Sequence, residues 1–437
     1  MFTTALDVVQ HSLMKILIIN KYWYRRGGAD RYAIWLADAL VRRGHEVRVF
    51  SVEHSKNIPD HHPVCISNVQ TEQLHLLDAP RTIGRMVWSL EAQRALRELL
   101  RAWRPDIAHV HNIYTQMSPS VLPVLHEAKI PVVAHVHDYG MLSANYSLFD
   151  AHGIDRVGSF WSVVRRRGVK DSYVASAIAA SAFAFHKTLG VYEKNIDRLI
   201  FTARFVQDLF KFKGWHGDRG TVIPYVVDLK GEDKKPQEDN GKMVFAGRLH
   251  KTKGVEILIE AARKTGISVE IIGDGPDRQK LQRQAGAMTN VSFLGALDNE
   301  ATLCHMREAR AVVVPSVWWE PFGMVAIEPQ GLGTPVIASR TGGLAELVVH
   351  GQTGFLVPPS DVSELALAMR RLHDDPKEAW RMGLLGKRRF ETQFSIDEHM
   401  RKLMVVYAGA VDNGAWPRYT GGLSHDAFIF ADSRGDV

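Results

Sequence analysis

Most of this 437-residue chain repeats one pattern: a short apolar run closed by a polar loop, then a stretch with apolar residues at helical spacing. Lys15-Ile-Leu-Ile-Ile-Asn20 is the first run, and the loop after it carries Arg25-Arg26-Gly27-Gly28. From Arg31 to Arg43 the apolar residues Ile34, Leu36, Ala37 and Leu40 recur as on one helix, and Gly44 stops it. His45-Glu-Val-Arg-Val-Phe50 is the next run. A strand covered on both faces reads as a continuous apolar run, and strand–helix–strand order fits a parallel sheet with crossover helices. Pro105 to His111, Pro119 to Glu127 and Pro131 to His137 repeat the unit; Asn195 to Phe210 reads as strand then helix, and Gly220 to Val226 as a closing strand.

The pattern breaks once. Asp228 to Asn240 is charged and almost without apolar residues, so it reads as a linker. A second series then begins at Lys242-Met-Val-Phe-Ala246 and continues through Ser268 to Ile272, Val291 to Leu294, Ala311 to Val314 and Thr334 to Ala338. Asp361 to Arg371 is predicted helical, and Phe394 opens a last helix to about Ala410. Two blocks of this kind predict an α/β protein of two doubly wound, Rossmann-like parallel sheets, residues 14–227 and 241–393, facing across a cleft. Ligands of such sheets lie beyond the carboxyl ends of the strands. Met1 to Leu13 reads as an extension before the first strand, with Met14 an alternative start, and Asp412 to Val437 as a loose polar tail.

Composition narrows the function classes. Hydrophobic residues make up 46% and charged residues 23%, so two large cores can form. Cys65 and Cys304 are the two cysteines and no CxxC occurs, so no disulfide framework or thiolate zinc site is expected, which fits a reducing cytoplasm. The N-terminus has no secretory pattern, and the apolar-looking run from Tyr173 to Phe185 is too short for the roughly 18 residues of a membrane span. The net charge of +6 raises the odds of an anionic partner, yet no nucleic-acid-binding motif is present. Basic residues gather at Arg81, Arg85, Arg94, Arg97, Arg101 and Arg104, the last four at helical spacing. That face reads either as the solvated side of a core helix or as a landing patch for an anionic membrane surface or polyprenyl-linked acceptor.

The chemistry concentrates at Glu320-Pro-Phe-Gly-Met-Val-Ala-Ile-Glu328, which follows an apolar run ending in Pro315-Ser316. A loop carboxylate there can reach a ligand hydroxyl, and a helix start behind it offers N–H groups and a positive dipole end to a phosphate. Pro315-Ser316, Glu320, Phe322-Gly323, Glu328, Gly333-Thr-Pro335, Gly342-Gly343 and Gly351 to Pro358 follow in fixed order. This series resembles the signature of glycosyltransferase family 4, retaining enzymes of the GT-B fold. Pro329, directly after Glu328, departs from the small residue usual there. A proline inside a helix disturbs the preceding turn, which puts the aim of Glu328 in question.

The resemblance implies further roles. Gly27 and Gly28 face the donor diphosphate from the N-terminal side. Arg248 and Lys253, in Gly247-Arg248-Leu-His-Lys-Thr-Lys253-Gly254, neutralise the leaving nucleotide. Gly273 lies in a GxGP turn beside the nucleotide, and Leu294, in Phe293-Leu294-Gly295, meets the base. Gly323, Met324 and Val325 offer N–H groups to the phosphates, with Phe322 in the same donor loop. Glu328 takes the ribose hydroxyls and Glu320 the sugar hydroxyls. His137 reaches the donor sugar through its ring or its carbonyl, and Asp138 is a candidate acceptor contact. The final helix, 394–411, crosses back to the N-terminal domain.

His109, His111, His135 and His137 stand in pairs at two strand ends, an arrangement that admits a zinc reading, but no carboxylate or cysteine completes a known ligand pattern. No DxD motif occurs, so fixed cations and helix starts are expected to replace a metal, and no cofactor is expected. The expected activity is transfer of a sugar from a UDP- or GDP-sugar to a hydroxyl acceptor, with retention, in polysaccharide or glycolipid synthesis. The alternatives are a nucleotide-sugar-binding scaffold without turnover and a phosphorylase or epimerase on the same fold.

Overall fold

The computed structural model describes residues 13–68, 79–215, 219–229 and 239–412. Most of the expected N-terminal extension, linker and tail therefore lies outside the described residues, as does the side chain of Arg81. The first block supplies β1 (Lys15–Ile19), β2 (Glu46–Val52), β3 (Val64–Ile66), β4 (Ile107–Val110), β5 (Val132–Val136), the hairpin strands β6 (Phe149–Asp150) and β7 (Gly153–Ile154), β8 (Arg198–Phe201) and β9 (Gly220–Val222). The second supplies β10 (Met243–Ala246), β11 (Val269–Ile272), β12 (Val291–Gly295), β13 (Ala311–Val314), β14 (Val336–Ser339) and β15 (Gly354–Val357).

Two sheets result, in the orders β3-β2-β1-β4-β5-β8-β9 and β12-β11-β10-β13-β14-β15. Every pairing within them is parallel. In each sheet the order reverses at the first strand of its series: β1 lies between β2 and β4, and β10 between β11 and β13. Those reversals open a crevice at the strands' carboxyl ends. The central strands are wholly buried, which is why they read as unbroken apolar runs; β4 and β5 are buried at every position, as are β10, β11, β13 and β14.

Local chemistry sets the helix ends. The helix Leu90–Ala102 begins where Ser89 accepts a hydrogen bond from the Ala92 N–H, and Glu91 lies in its first turn. It buries Leu96 and Leu99 and leaves Arg94 and Arg101 in solvent. The basic face is thus real but partly consumed. Arg97 pairs with Glu127, and Arg104 donates to the Ala128 carbonyl. Arg85 does not belong to it: its side chain is buried against Ser67 and Glu91. The Tyr173–Leu189 helix stops at Gly190 in the left-handed conformation (φ 61°). No helix among the described residues is long and apolar enough to cross a membrane.

The last helix, Ile396–Asp412, packs its inner face on the first block. Tyr407 Oη bonds His109 Nδ1 at 2.7 Å, and His399 Nε2 bonds Tyr32 Oη at 2.9 Å. The blocks also meet directly: Thr202 donates to the Pro321 carbonyl, and Glu346 accepts from the Arg204 and Phe205 N–H groups that open the helix Arg204–Phe212.

Candidate active site

Four loops converge at the crevice, following β1, β5, β10 and β13. The loop after β13 carries Glu320, which is 5% exposed. It accepts from Lys253 Nζ at 2.5 Å and from Ser316 Oγ at 2.8 Å. Lys253 comes from the loop after β10, so the two strands flanking the second reversal present a cation and a carboxylate to one point. The chain delivers Lys253 on a single 3-10 turn, Lys251–Lys253, closed by Gly254 at φ 64°. A Cβ on Gly254 would stand 2.0 Å from the Pro315 carbonyl, so the two loops touch only because this residue is glycine. Arg248, in the same loop, is exposed and carries no ion pair or hydrogen bond to a described residue. It is the free cation of the pair.

Glu320 is held from behind. Its carbonyl accepts the Gly343 N–H at 2.7 Å, and a Cβ on Gly342 would come within 2.4 Å of that oxygen. The Gly342-Gly343 pair thus serves as a seat for the Glu320 backbone. Phe322 is buried at 2% exposure, with its ring against Tyr225 and Phe394. It braces the loop from the core side. Gly323 takes φ 108°, and Met324 and Val325 follow as the head of a 3-10 turn, whose first N–H groups have no carbonyl within the turn. The α-helix proper starts at Glu328, which places Pro329 in its first turn. There a proline forfeits no hydrogen bond. Glu328 is buried, with its carboxyl pushed above the usual range by burial and drawn back by Arg31, 4.0 Å away.

Arg31 joins the candidate site, although nothing in the sequence singles it out. It lies in the first turn of the helix Gly28–Val41 and spans the crevice to Glu328 and to Asn299 Oδ1, at 2.5 Å. On a helix surface an arginine reads as a solvated charge, so only the facing block gives it away. Gly27 caps this helix, and a Cβ on Gly28 would meet Met324 Sδ at 3.4 Å, so the glycine pair faces the phosphate-loop candidates across the gap.

Gly273 and Gly275 serve backbone packing. A Cβ on either would fall 1.9 Å from the Gly247 carbonyl or 2.2 Å from the Leu249 carbonyl. The turn therefore presses the Arg248 loop into place. Leu294, at 36% exposure, stands at the end of edge strand β12, close to that turn through the Gly273 N–H bond to the Gly295 carbonyl.

His137 directly follows β5, with both ring nitrogens engaged: Nδ1 with Tyr225 Oη and Nε2 with His111 Nδ1, 2.8 Å away. Burial, with His109 adding to it, lowers its pKa to about 3, so the ring is neutral. Its backbone carbonyl is the part left for a ligand. Asp138 is half-buried, accepts the Gly140 N–H, and is pushed up to about 6 by burial, with Gly140, Tyr114 and Lys21 opposing. His109, His111 and His135 bring their nitrogens within 4.8 Å of one another. Their rings lie within 20° of parallel, so in-plane lone pairs run side by side rather than toward one point. The arrangement is a stack of neutral imidazoles, each with its pKa lowered by burial. Both cysteines are free.

Both blocks resemble known proteins. Residues 27–226 match the family model for a glycosyl transferase 4-like domain and residues 228–389 that for glycosyl transferases group 1. Glycogen synthase of Mycobacterium tuberculosis is 29% identical over 412 residues, covering 88% of this chain and 91% of that one. Among solved structures, sucrose-phosphate synthase from Thermosynechococcus elongatus superposes with TM-score 0.69 at 22% identity, over 91% of this chain and 99% of the other. HepE from Anabaena, solved with UDP-glucose, does so with TM-score 0.65 at 19% identity, over 91% of this chain and 100% of the other. The fold is GT-B.

Proposed function

The chain belongs to the group 1 glycosyltransferases of family 4 and uses a nucleotide sugar, and from that premise we propose that it is a retaining enzyme moving a sugar from a UDP- or GDP-sugar to a hydroxyl acceptor without a metal. The observation that carries this reading is the Lys253–Glu320–Ser316 group at the second reversal, with unpaired Arg248 beside it. A diphosphate entering the crevice would take Lys253 away from Glu320 and recruit Arg248, whose planar fork suits two phosphate oxygens. Glu320, released, would accept from sugar hydroxyls. Glu328 would hold the ribose once Arg31 yields.

In the mechanism that this arrangement supports, the glycosidic bond to phosphate breaks and the acceptor hydroxyl enters on the same face. Negative charge grows on the departing phosphate, where two fixed cations and turn N–H groups await it. The His137 carbonyl would face the positive charge developing at the sugar. The proton of the acceptor passes to the leaving phosphate. Asp138, at the end of β5, is the nearby carboxyl for the acceptor. The absence of a DxD sequence and the presence of these cations support metal-independence.

The test is turnover of UDP- and GDP-sugars, with Glu320→Ala, Arg248→Ala and Lys253→Ala as variants. Each substitution is expected to lower kcat by at least about 100-fold, the usual effect of losing one charge-stabilising group, far more than it lowers stability; Arg248→Ala, which breaks no ion pair, should leave melting unchanged. Wild-type rates in all three would remove the assignment. UDP binding without any transfer or hydrolysis would favour a scaffold, and full loss of turnover in EDTA restored by magnesium would overturn metal-independence.

A further inference from the structure

One surface is unlike the rest of the molecule. Val157, Phe160, Trp161, Tyr173, Val174 and Phe212 expose 62, 36, 65, 60, 70 and 43% of their surface. They are linked in space. The helices Phe160–Arg165 and Tyr173–Leu189 pack together. The Phe160 and Trp161 rings meet at 5.1 Å, and Lys213 donates to the carbonyls of Arg156 and Val157 while its ammonium lies near the Phe212 ring. Isolated exposed apolar residues are ordinary; a set of aromatic and aliphatic side chains joined in this way marks a contact surface.

Charge says what contacts it. Between Asp155 and Asp171 the chain has five basic residues, Arg156, Arg165, Arg166, Arg167 and Lys170, and no acidic one. Of these Arg156 and Arg165 are exposed, while Arg166 is committed to Asp150 by a two-pronged ion pair and Arg167 pairs with Asp171 at 3.2 Å and lies over the Tyr173 ring. Asp155 is turned inward, holding Ser162 and the Val157 and Gly158 N–H groups. Trp and Tyr beside Arg and Lys on short helices is the composition of a segment lying in a bilayer's polar boundary, its rings in the headgroup layer and its cations on anionic lipid. A second copy of this chain fits poorly, because a self-complementary contact would set basic against basic.

The patch also sits where a lipid-borne substrate would be useful. Through Arg166 it is fixed to the β6–β7 hairpin, and Phe149 of that hairpin lies under Lys251, two residues from Lys253. We propose that this face docks on an anionic lipid bilayer and that the acceptor hydroxyl is presented from that bilayer. The proposal rests on the transferase reading for the acceptor, but its docking part is separable.

Co-sedimentation of the full chain with phosphatidylcholine vesicles, with and without phosphatidylglycerol, tests it. The wild type is expected to bind the anionic vesicles at least about tenfold more tightly than neutral ones, with binding falling in salt. The triple variant Phe160→Ser, Trp161→Ser, Tyr173→Ser is expected to lose that binding while keeping the wild-type melting shift with UDP. Equal binding to both vesicle types, or unchanged binding of the triple variant, would overturn the proposal, as would a wild-type dimer that the triple variant abolishes. Vesicle binding by a protein that turns over no nucleotide sugar would uphold docking and discard the transferase reading instead.

Discussion

At the scale of single residues, the proposed donor site holds its charges already paired. Glu320 and Lys253 neutralise each other in a nearly closed space, so neither is stranded before the donor arrives. A buried imidazole tells the opposite story. His135 lies in the core with neither ring nitrogen partnered among the described residues, between Tyr32 and Tyr225. A buried polar group left unpaired costs about 1–3 kcal/mol. His135→Leu, close in volume, is therefore expected to leave stability unchanged or raise it within that range in chemical denaturation. A clear loss would show that this ring has a partner the packing does not reveal.

Single residues are also where sequence reading ran short. Glu320 and Lys253, singled out by type and spacing, do meet in the structure, and Arg248 lies in the same loop as Lys253. Phe322 reads as part of the donor loop, but its packing against Tyr225 and Phe394 is set by residues far off in the sequence. Pro329 looked disruptive because its effect depends on where the helix starts, one residue earlier. Arg31 was missed since its partners come from the other half of the chain.

At the scale of elements, the buried parallel strands were readable because burial on both faces leaves only apolar residues in them. Three-residue β3 at a sheet edge, with its Cys65 exposed, carries no such signal, and neither do the two-residue strands β6 and β7. The last helix illustrates how an element is fastened. His399 donates from Nδ1 to the Pro224 carbonyl and accepts from Tyr32, a pattern that needs a neutral ring. Burial, its largest cause, lowers the His399 pKa to about 4. The unfolded chain, with an ordinary histidine near 6.5, takes up the proton first. Stability from this group is complete above pH 6.5 and is lost as pH falls toward 4, by about 3 kcal/mol. His399→Phe should be less stable at pH 7.5 yet show a shallower decline between those limits. An identical slope in urea titrations would mean that the helix is not fastened through this ring.

At the scale of the whole molecule, the two blocks hold each other across the crevice. Thr202 and Glu346 tie them at one side, and Arg31 bridges to Asn299 and Glu328 over the site. The Arg31–Glu328 contact is loose and two-fifths exposed on the arginine side, so it contributes at most about 1 kcal/mol. In the proposed donor pose the ribose displaces Arg31 from Glu328, so Arg31→Ala should tighten UDP binding, by no more than about fivefold. Calorimetry checks this; binding weakened more than about tenfold would show that Arg31 itself grips the donor.

The central claim is that a diphosphate is held at the reversal between β10 and β13 by cations from one loop and turn amides from another. A crystal soaked with UDP tests it most directly. The account predicts the β-phosphate between Arg248 and Lys253, the Lys253–Glu320 bond broken, and the ribose on Glu328. A diphosphate bound elsewhere, or Lys253 still paired with Glu320 beside an occupied site, would contradict it.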